Sequence, residues 1–403
     1  MINTVNPLKH YQESLAAHSF TMSSKMNPLV LLSIFLDIVT AANIFVSHYQ
    51  GTIQSLTLTP TSNGGYTLTT NSSANVGGQP SWMTFDPATR TIYSSDETGF
   101  GSASLTAVTA AANGGVSLVG KATGVTLGGV HNTLYGSGYI AVAHYQMSSI
   151  TTYKLPLSSS LRSLQTLKYT MNGPGKIPSR QDAPHPHQVV VDPTGNFLLS
   201  PDLGADQIRI YSIDKSTGKL AECPNFITAP GTGPRHGEFD GKTLYVGNEL
   251  ANTVSAFAVS YPDNGGCLTL TLKQTLTTIA NNKTLPSGSK VGEVHVKGRF
   301  LYVSNRRDLS FSPNDSIASF SLDDAGLMKF QQITSSGGTY PRTFSINKAG
   351  DLVAIGDQTT ANVVVVKRDV TTGLLGAQVA SMRIGSTGTP ENDNGLSAVL
   401  WDE

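Results

Sequence analysis

The stretch PHQVVVDPTGNFLLSPDL (residues 186–203) contains two apolar runs joined by a turn, and a third run, IRIYSID, follows at 208–214. The same order returns in PRTFSINKAGDLVAIGDQ (341–358), which leads into VVVVKRD (363–369). Short runs rich in β-branched residues, bounded by Pro, Gly, Asn and Asp, are typical of β-strands. The two stretches therefore predict one repeating unit of antiparallel strands.

This unit recurs along the chain at intervals of about 48 to 58 residues. Further copies begin at Pro80, Gly128, Gly233 and Gly292. A seventh copy is divided, because NIFVSHYQ (43–50) lacks a first strand and GLSAVLWDE (395–403) lacks a partner. The pattern predicts an all-β, seven-bladed β-propeller in which the C-terminal strand closes the first blade. Such a closure leaves no free sheet edge.

The composition of the chain limits its partners. The 403 residues include 27 basic and 27 acidic side chains, so the formal net charge is zero. No cluster of Lys and Arg is interleaved with aromatic residues, which argues against nucleic acid as a partner. A small polar ligand fits this composition better. A propeller also explains how so long a chain can form one domain, because each blade packs against its neighbours.

The first 42 residues differ from the repeat region. LVLLSIFLDIVTAA (29–42) has the length of a signal-peptide core and ends in small residues. It is short for a membrane span, and Asp37 interrupts it. We therefore predict an upstream extension and a signal peptide, with translation starting at Met26. The propeller domain (43–403) would be secreted, without stable membrane association after cleavage; a buried first element or an interfacial anchor on a cytoplasmic protein is the alternative.

Two further features bear on secretion. The sequons at Asn71, Asn282 and Asn314 lie in polar stretches that predict loops, and they are candidate N-glycosylation sites. Cys223 and Cys267 fall in the outer parts of consecutive blades and could form a disulfide in an oxidising compartment. Two unpaired thiols are the alternative, because the sequence does not give the separation of the cysteines.

Titratable residues occupy matching points of the repeat. If the first strand of each blade starts at the central channel and the second returns to it, both points surround one mouth. The first point holds Ser81, Val130, His187, Arg235, Glu293 and Arg342. The second holds Tyr49, Glu97, Tyr145, Asp202, Glu249, Arg306 and Asp357. Imidazole, guanidinium and carboxylate groups together suit proton transfer and oxyanion stabilisation; a structural ring of ion pairs is the alternative.

Several short motifs follow one another in a fixed order: Arg180-Gln181, His185-Pro186-His187-Gln188, Asp202-Leu203-Gly204, Gly233-Pro234-Arg235-His236, Asn248-Glu249-Leu250, Val303-Ser304-Asn305-Arg306 and Pro341-Arg342. Together they resemble the seven-bladed β-propeller lactonase family. That family contains bacterial 6-phosphogluconolactonases, fungal carboxy-cis,cis-muconate cyclases and fungal sugar lactonases. The resemblance covers the chain from Asn43 to Trp401. It implies catalytic roles for His187, Arg235 and Glu249, with Arg306 and Arg342 as further candidates. The repeat alignment adds Glu293 and Asp202, and these two with Arg306 and Arg342 are the predicted substrate-binding residues.

The resulting hypothesis is hydrolysis of a sugar-derived lactone without metal or cofactor. His187 or Glu249 would take a proton from the attacking water, and the other would protonate the departing ring oxygen. Arg235, helped by Arg306 or Arg342, would stabilise the tetrahedral oxyanion.

Three alternatives stay open. A carboxymuconate cyclase would use the arginines to hold substrate carboxylates. A 6-phosphogluconolactonase would act on a phosphorylated lactone. A binding platform would use outer loops such as 172–185 or 305–317. Predicted secretion favours the sugar lactone, since muconates and sugar phosphates form inside cells.

Overall fold

The computed structural model describes residues 41–263, 265–279 and 284–403. Within these ranges the chain is all-β and contains no helix. No helix that could span a membrane therefore occurs among them. The predicted extension and signal peptide fall almost entirely on residues 1–40, and the sequon at Asn282 falls in the second gap. These predictions lie outside the described residues.

The strands form seven four-stranded antiparallel sheets, which we call blades 1 to 7. Blade 1 contains β1 (Ala42–His48), β2 (Thr52–Pro60) and β3 (Tyr66–Asn75), together with the last strand of the chain, β28 (Leu396–Trp401). Blade 2 consists of β4 (Pro80–Asp86), β5 (Thr91–Asp96), β6 (Ala103–Ala110) and β7 (Val116–Val125). Blade 3 consists of β8 (Gly129–Tyr135), β9 (Tyr139–His144), β10 (Ser149–Lys154) and β11 (Gln165–Lys168).

The remaining blades follow in chain order. Blade 4 consists of β12 (Val190–Val191), β13 (Phe197–Asp202), β14 (Gln207–Ile213) and β15 (Leu220–Ile227). Blade 5 consists of β16 (Pro234–Asp240), β17 (Thr243–Asn248), β18 (Thr253–Ser260) and β19 (Thr269–Thr277). Blade 6 consists of β20 (Lys290–Val296), β21 (Phe300–Arg306), β22 (Ser316–Leu322) and β23 (Met328–Ser335). Blade 7 consists of β24 (Pro341–Ile346), β25 (Leu352–Asp357), β26 (Asn362–Arg368) and β27 (Leu375–Arg383).

The ring closes where the sequence predicts. Strand β28 pairs antiparallel with β1, and Trp401 lies opposite Ile44 while Val399 lies opposite Val46. The order of strands in this sheet is β28, β1, β2, β3, so the last strand of the chain supplies the inner strand of blade 1. The predicted seven-bladed propeller and its split first blade are confirmed.

The core lies between neighbouring blades. Strand β13 (FLLSPD) is buried along its whole length, whereas β19 (TLTLKQTLT) alternates between exposed and half-buried residues. Middle strands such as β13 are covered on both faces, whereas outer strands such as β19 face solvent. One of the apolar clusters joins Tyr302 of blade 6 to Phe344 and Val364 of blade 7. Blade-to-blade packing of this kind fixes the strand ends that surround the channel.

A disulfide crosses between two blades at the outer edge of the ring. Cys223 lies in β15, Cys267 precedes β19, and their sulfur atoms are bonded with Cα atoms 5.6 Å apart. The sequence left this pairing open. The two sequons within the described residues lie in different surroundings. Asn71 lies within β3 rather than in the predicted loop, and its amide donates to the Asn113 carbonyl at 2.6 Å. Asn314 lies in the connection between β21 and β22, as expected.

Loss of the disulfide is expected to lower stability without disturbing the channel. The crosslink closes a loop with a sequence separation of 44 residues. Chain entropy then assigns it about 4 kcal/mol of unfolding free energy. We expect Cys223→Ser with Cys267→Ser to lose a large part of this value in urea unfolding. Equal midpoints for the oxidised wild type and the double variant would show that the crosslink contributes nothing.

Candidate functional site

A β-bulge at the start of the inner strand turns one side chain of each blade out of the regular register. In blade 5, Pro234 pairs with Asn248 and His236 with Gly247, which leaves Arg235 as the extra residue. Bulges re-aim side chains and are common beside active sites. Register shifts also fall at Ser81, Val130 and Arg342, at Ser397 in blade 1, across Gly292 and Glu293 in blade 6, and between Pro186 and Val190 in blade 4. The shifts outside blade 1 include every first-point residue that the repeat alignment predicts.

The strand ends surround a cavity of about 320 Å³, a size within the range of small-molecule sites. Its walls combine acidic, basic, amide and phenol groups with one imidazole. They are formed by Glu97, Tyr145, Gln146, Arg180, His187, Glu249, Lys290, Arg306, Tyr340, Arg342, Gln358, Glu391, Asn392 and Asp393. We call this the mouth cavity.

Glu249 lies at the centre of a group of arginines. Its Oε1 accepts from Arg180 at 2.6 Å, and its Oε2 lies 2.7 Å from Arg306 and 2.9 Å from Arg235. Burial alone would raise the pKa of Glu249, but the charges of Arg180 and Arg306 outweigh it and hold that pKa well below its usual range. Glu249 is therefore a carboxylate at neutral pH, committed to the arginines.

A second charged group surrounds Arg342. Its guanidinium donates to Ser81 Oγ at 2.7 Å and to Glu97 Oε2 at 3.1 Å. The Tyr49 hydroxyl donates to the same Glu97 oxygen at 2.6 Å. Burial, reinforced by the charge of Glu97, raises the pKa of nearby Asp393 to about 7. This corner of the mouth cavity therefore holds a fixed cation beside a carboxyl group that titrates near neutrality.

Lys290 forms the third charged group, with Glu391. The two side chains form an ion pair, and Tyr340 donates to the other oxygen of Glu391 at 3.2 Å. Burial lowers the pKa of Lys290 to about 8. Glu391 and Asp393 belong to the segment 384–395, which leads from β27 to β28. The connection that closes the ring thus also supplies part of the cavity wall.

His187 presents an imidazole to the mouth cavity. The residue is 6% exposed, and its Nδ1 lies 3.1 Å from Nε2 of His236. Burial and the charge of Arg235 lower the pKa of His187 well below its ordinary value, so the ring is neutral at pH 7. The ring of Tyr145 meets it edge-on at 5.6 Å. A neutral imidazole can accept a proton from a molecule in the cavity.

The structure brings four predicted site residues to the cavity wall: His187, Glu249, Arg306 and Arg342. Two others lie behind it. Arg235 is 1% exposed and lies against Glu249, with its NH1 donating to the Gly292 carbonyl at 2.8 Å. Glu293 is turned toward His236, with both carboxylate oxygens 3.0 Å from Nδ1.

Asp202 was placed one residue out of register by the sequence alignment. Asp202 is paired with Pro186, as Asn248 is with Pro234, so Leu203 rather than Asp202 corresponds to Glu249. A shift of one residue moves a strand side chain to the opposite face. Fully buried Asp202 instead accepts from the His185 amide at 2.7 Å and pairs with Arg209 at 2.7 Å.

The same correction applies to blade 7. Asp357 pairs with Pro341, and it is the following residue, Gln358, that lines the mouth cavity. Asp202 accepts from the backbone amides of His185 and Ala205 beside the site, and neither Asp202 nor Asp357 lines the mouth cavity. The prediction that Asp202 binds substrate is therefore replaced by a structural role in blade 4.

Sequence reasoning assigned no role to Arg180, Lys290, Glu391 or Asp393. Arg180 lies in the long connection from β11 to β12, which has no counterpart in the other blades and so no repeat position to identify it. Lys290 lies in β20, three residues before Glu293, and pairs with Arg306. Its position close to a predicted site residue was the signal that the sequence offered. No group of three His, Cys, Asp or Glu side chains suited to a metal ion occurs among residues 41–263, 265–279 and 284–403.

Comparisons of the sequence and of the fold with known proteins identify the same group of relatives. Residues 43–389 match the family model described as "Lactonase, 7-bladed beta-propeller". A probable 6-phosphogluconolactonase of Arthroderma benhamiae is 34% identical over 350 residues, covering 83% of this chain and 84% of the relative. The structure of a periplasmic gluconolactonase of Pseudomonas aeruginosa superposes with a TM-score of 0.73 at 25% identity, covering 90% of this chain and 99% of that one. A putative 6-phosphogluconolactonase of Bacteroides fragilis gives 0.75 at 25% identity, covering 90% and 98%.

Proposed function

Because this chain belongs to the seven-bladed β-propeller lactonase family, we propose that it hydrolyses a neutral sugar-derived lactone in the mouth cavity. The observation that carries the proposal is the neutral imidazole of His187 on a cavity wall that also presents two anchored arginines, Arg306 and Arg342. These groups supply the base and the cations that water attack on an ester carbonyl requires.

The reaction begins with water positioned between His187 and the lactone carbonyl. As the water oxygen bonds to the carbonyl carbon, one water proton passes to His187 and the carbonyl oxygen becomes an oxyanion. The bond from this carbon to the ring oxygen then breaks, and His187 returns the proton to that oxygen. The product is the open hydroxy acid, which ionises and releases one proton to solvent. His187 ends neutral, ready for another turnover.

Arg342 and Arg306 are the groups suited to the oxyanion. Both line the cavity, and both are held by acidic partners, Arg342 by Glu97 and Arg306 by Glu249. Donors fixed before the reaction stabilise developing charge without reorganising, and one such donor is worth about 3 kcal/mol of barrier. Arg235 does not line the cavity. It contributes indirectly, because it helps to hold Glu249, and Glu249 holds Arg306.

The balance of charge in the cavity favours a neutral substrate. The wall carries four cations, Arg180, Lys290, Arg306 and Arg342, and four carboxyl groups, Glu97, Glu249, Glu391 and Asp393. A phosphorylated lactone would add negative charge to a wall whose cations and carboxyl groups are equal in number. This supports a sugar lactone such as gluconolactone, in keeping with the similarity to the periplasmic gluconolactonase of Pseudomonas aeruginosa.

Glu391→Gln is expected to shift this preference toward anionic lactones. The variant removes one negative charge from the cavity wall, and one unit charge at short range in a water-like dielectric is worth about 1 kcal/mol, or about fivefold. We expect the ratio of kcat/KM for 6-phosphogluconolactone over gluconolactone to rise by about that factor. The control is Asp324→Asn. Asp324 lies in the β22–β23 turn, and the variant breaks its exposed ion pair with Arg299. An unchanged ratio in Glu391→Gln would contradict the charge argument.

The proposal is tested by acid release from a panel of substrates, followed with a pH indicator. The full chain is offered gluconolactone, xylonolactone and 6-phosphogluconolactone, and a carboxymuconate is followed by loss of its diene absorbance. We expect opening of a neutral sugar lactone well above its spontaneous rate. Preference for the phosphorylated lactone would overturn the substrate class, diene loss alone would identify a cyclase, and no reaction with any substrate would favour a binding platform.

We further propose that the protein acts outside the cell. The disulfide between Cys223 and Cys267 supports this, because disulfides persist in oxidising compartments. The sequence pattern of residues 29–42 and the sequon at Asn314 agree with it. N-terminal sequencing of protein recovered from culture medium should find a start near Asn43. Recovery of the chain only from the cytosol would contradict this location.

A further inference from the structure

A line of three buried side chains leads away from the mouth cavity. His187 Nδ1 lies 3.1 Å from His236 Nε2, and His236 Nδ1 lies 3.0 Å from each carboxylate oxygen of Glu293. His187 is 6% exposed, and the other two are 1% exposed. Because Arg235 and Glu293 both stand at bulges and His236 follows Arg235, the same bulges that build the cavity wall also build this line.

The bonding capacities of the three groups determine where the protons lie. The backbone amide of Val294 donates to Glu293 Oε1 at 3.1 Å, which marks that carboxylate as an acceptor. His236 Nδ1 must then carry the proton of its bond to Glu293. Burial and the charge of Arg235 hold the pKa of His236 well below its ordinary value, so His236 is neutral and its Nε2 is bare. A bare Nε2 accepts, and His187 Nδ1 must therefore be the donor.

The consequence for His187 is a defined tautomer. With its proton on Nδ1, its Nε2 carries a free lone pair, and no protein group among the described residues bonds to that nitrogen. His187 lines the mouth cavity, so Nε2 is the nitrogen available to a bound molecule. By contrast, both carboxylate oxygens of Glu249 form ion pairs, with Arg180, Arg235 and Arg306.

Packing holds the middle ring of this line in place. Trp82 and His131 each meet the His236 ring edge-on, with ring centres 5.1 Å and 5.2 Å away. Trp82 and His131 also stack on each other at 4.1 Å. The His236 ring therefore has little freedom to rotate, and the direction of both of its hydrogen bonds is fixed.

We propose that Glu293 and His236 are positioning residues that fix His187 as the Nδ1-protonated tautomer, and so select His187 Nε2, rather than Glu249, as the base of the reaction. This rests on the proposed lactone hydrolysis. When Nε2 takes the water proton, the positive charge of His187 is stabilised through His236 by the carboxylate of Glu293. When the ring C–O bond breaks, the same Nε2 proton passes to the ring oxygen.

The direct test is nitrogen-15 NMR of the full chain labelled at histidine. Protonated and bare ring nitrogens have distinct shifts, and the signals are assigned by comparison with His187→Ala and His236→Gln. We expect both His187 and His236 to carry their proton on Nδ1. A proton on Nε2 of neutral His187 in the wild type would overturn the proposal. This measurement does not depend on turnover, so it separates failure of the proposal from failure of the proposed function.

Glu293→Gln should reverse the direction of both hydrogen bonds, the one between His236 and residue 293 and the one between His187 and His236. Val294 needs an acceptor and holds the amide oxygen, which leaves the amide NH₂ to donate to His236 Nδ1. Both histidines then move their protons to Nε2. A wrong tautomer costs as much as about 10⁴-fold in kcat in the serine proteases, and we expect a loss of at least 10²-fold with KM changed less than about threefold. An unchanged kcat, or an unchanged tautomer with the same loss, would contradict the positioning role.

Two further variants separate positioning from stability. Glu238→Gln removes the carboxylate charge from a similar bond, which His295 Nδ1 makes at 2.9 Å in a pair that does not line the cavity; kcat should stay within about twofold. In His236→Gln the amide can accept from His187 and donate to Glu293, which preserves the bond directions. It should retain at least tenfold more activity than His236→Leu, and equal losses in the two would overturn the proposal.

Discussion

Replacement of His187 by Ala is expected to lower kcat/KM for gluconolactone by about 10²- to 10⁴-fold, the range in which a general base contributes. The substitution removes the neutral imidazole on the cavity wall and leaves the arginines that stabilise the oxyanion in place. Steady-state kinetics by acid release measures the loss. Most of it should appear in kcat, because the proton transfer belongs to the transition state rather than to substrate binding.

A matched control is available in the next blades. His295→Ala also deletes an imidazole that is bonded to a glutamate, but this half-buried side chain does not line the mouth cavity. Both variants should unfold at somewhat lower denaturant, since each leaves a polar partner without its bond. Only His187→Ala should lose turnover. Comparable losses of turnover in both would show that the effect arises from folding.

Replacement of Glu249 by Gln is expected to have the second large effect, on stability as well as activity. The carboxylate pairs with Arg180, Arg235 and Arg306, and both Arg235 and Glu249 are 1% exposed. Removing one partner of a buried ion pair costs about 3 to 5 kcal/mol, because it leaves an uncompensated buried charge. Urea unfolding should show this cost, and kcat should fall because Arg306 loses its anchor.

Asp402→Asn is the control variant for Glu249→Gln. Asp402 pairs with Arg90 at 2.7 Å, but the arginine side chain is 37% exposed, so the loss there should be within about 1 kcal/mol. If Glu249→Gln does not fold, Glu249→Asp keeps the charge and tests the geometry through kcat alone. Stability equal to the wild type in Glu249→Gln would contradict the view that this carboxylate holds the arginines together.

The repeat pattern was sufficient to predict the blades and their closure, because a strand-turn-strand unit is encoded by local alternation and turn residues. It also identified the bulge positions Arg235 and Arg342, because each follows a Pro that begins the first strand. It failed for Asp202 and Asp357 because alternation fixes the strand but not its register by one residue. The Pro186 and Pro341 pairings in the structure correct both.

The parts of the site that sequence reasoning missed come from segments outside the repeat. Arg180 belongs to an insertion in one blade, and Glu391 and Asp393 belong to the connection that closes the ring. Neither segment has counterparts from which a position could be inferred. The line from His187 to Glu293 was missed for a different reason, since His236 stood in a quoted motif but its contacts with two other blades are tertiary.

The most direct test of lactone hydrolysis in the mouth cavity is the initial rate of acid release from gluconolactone, measured side by side for the wild type, His187→Ala and His295→Ala. The proposed function predicts a rate well above spontaneous opening for the wild type and His295→Ala, and a rate about 10²- to 10⁴-fold below the wild type for His187→Ala. A wild-type rate no higher than the spontaneous one, or full activity in His187→Ala, would contradict the proposed site and its base.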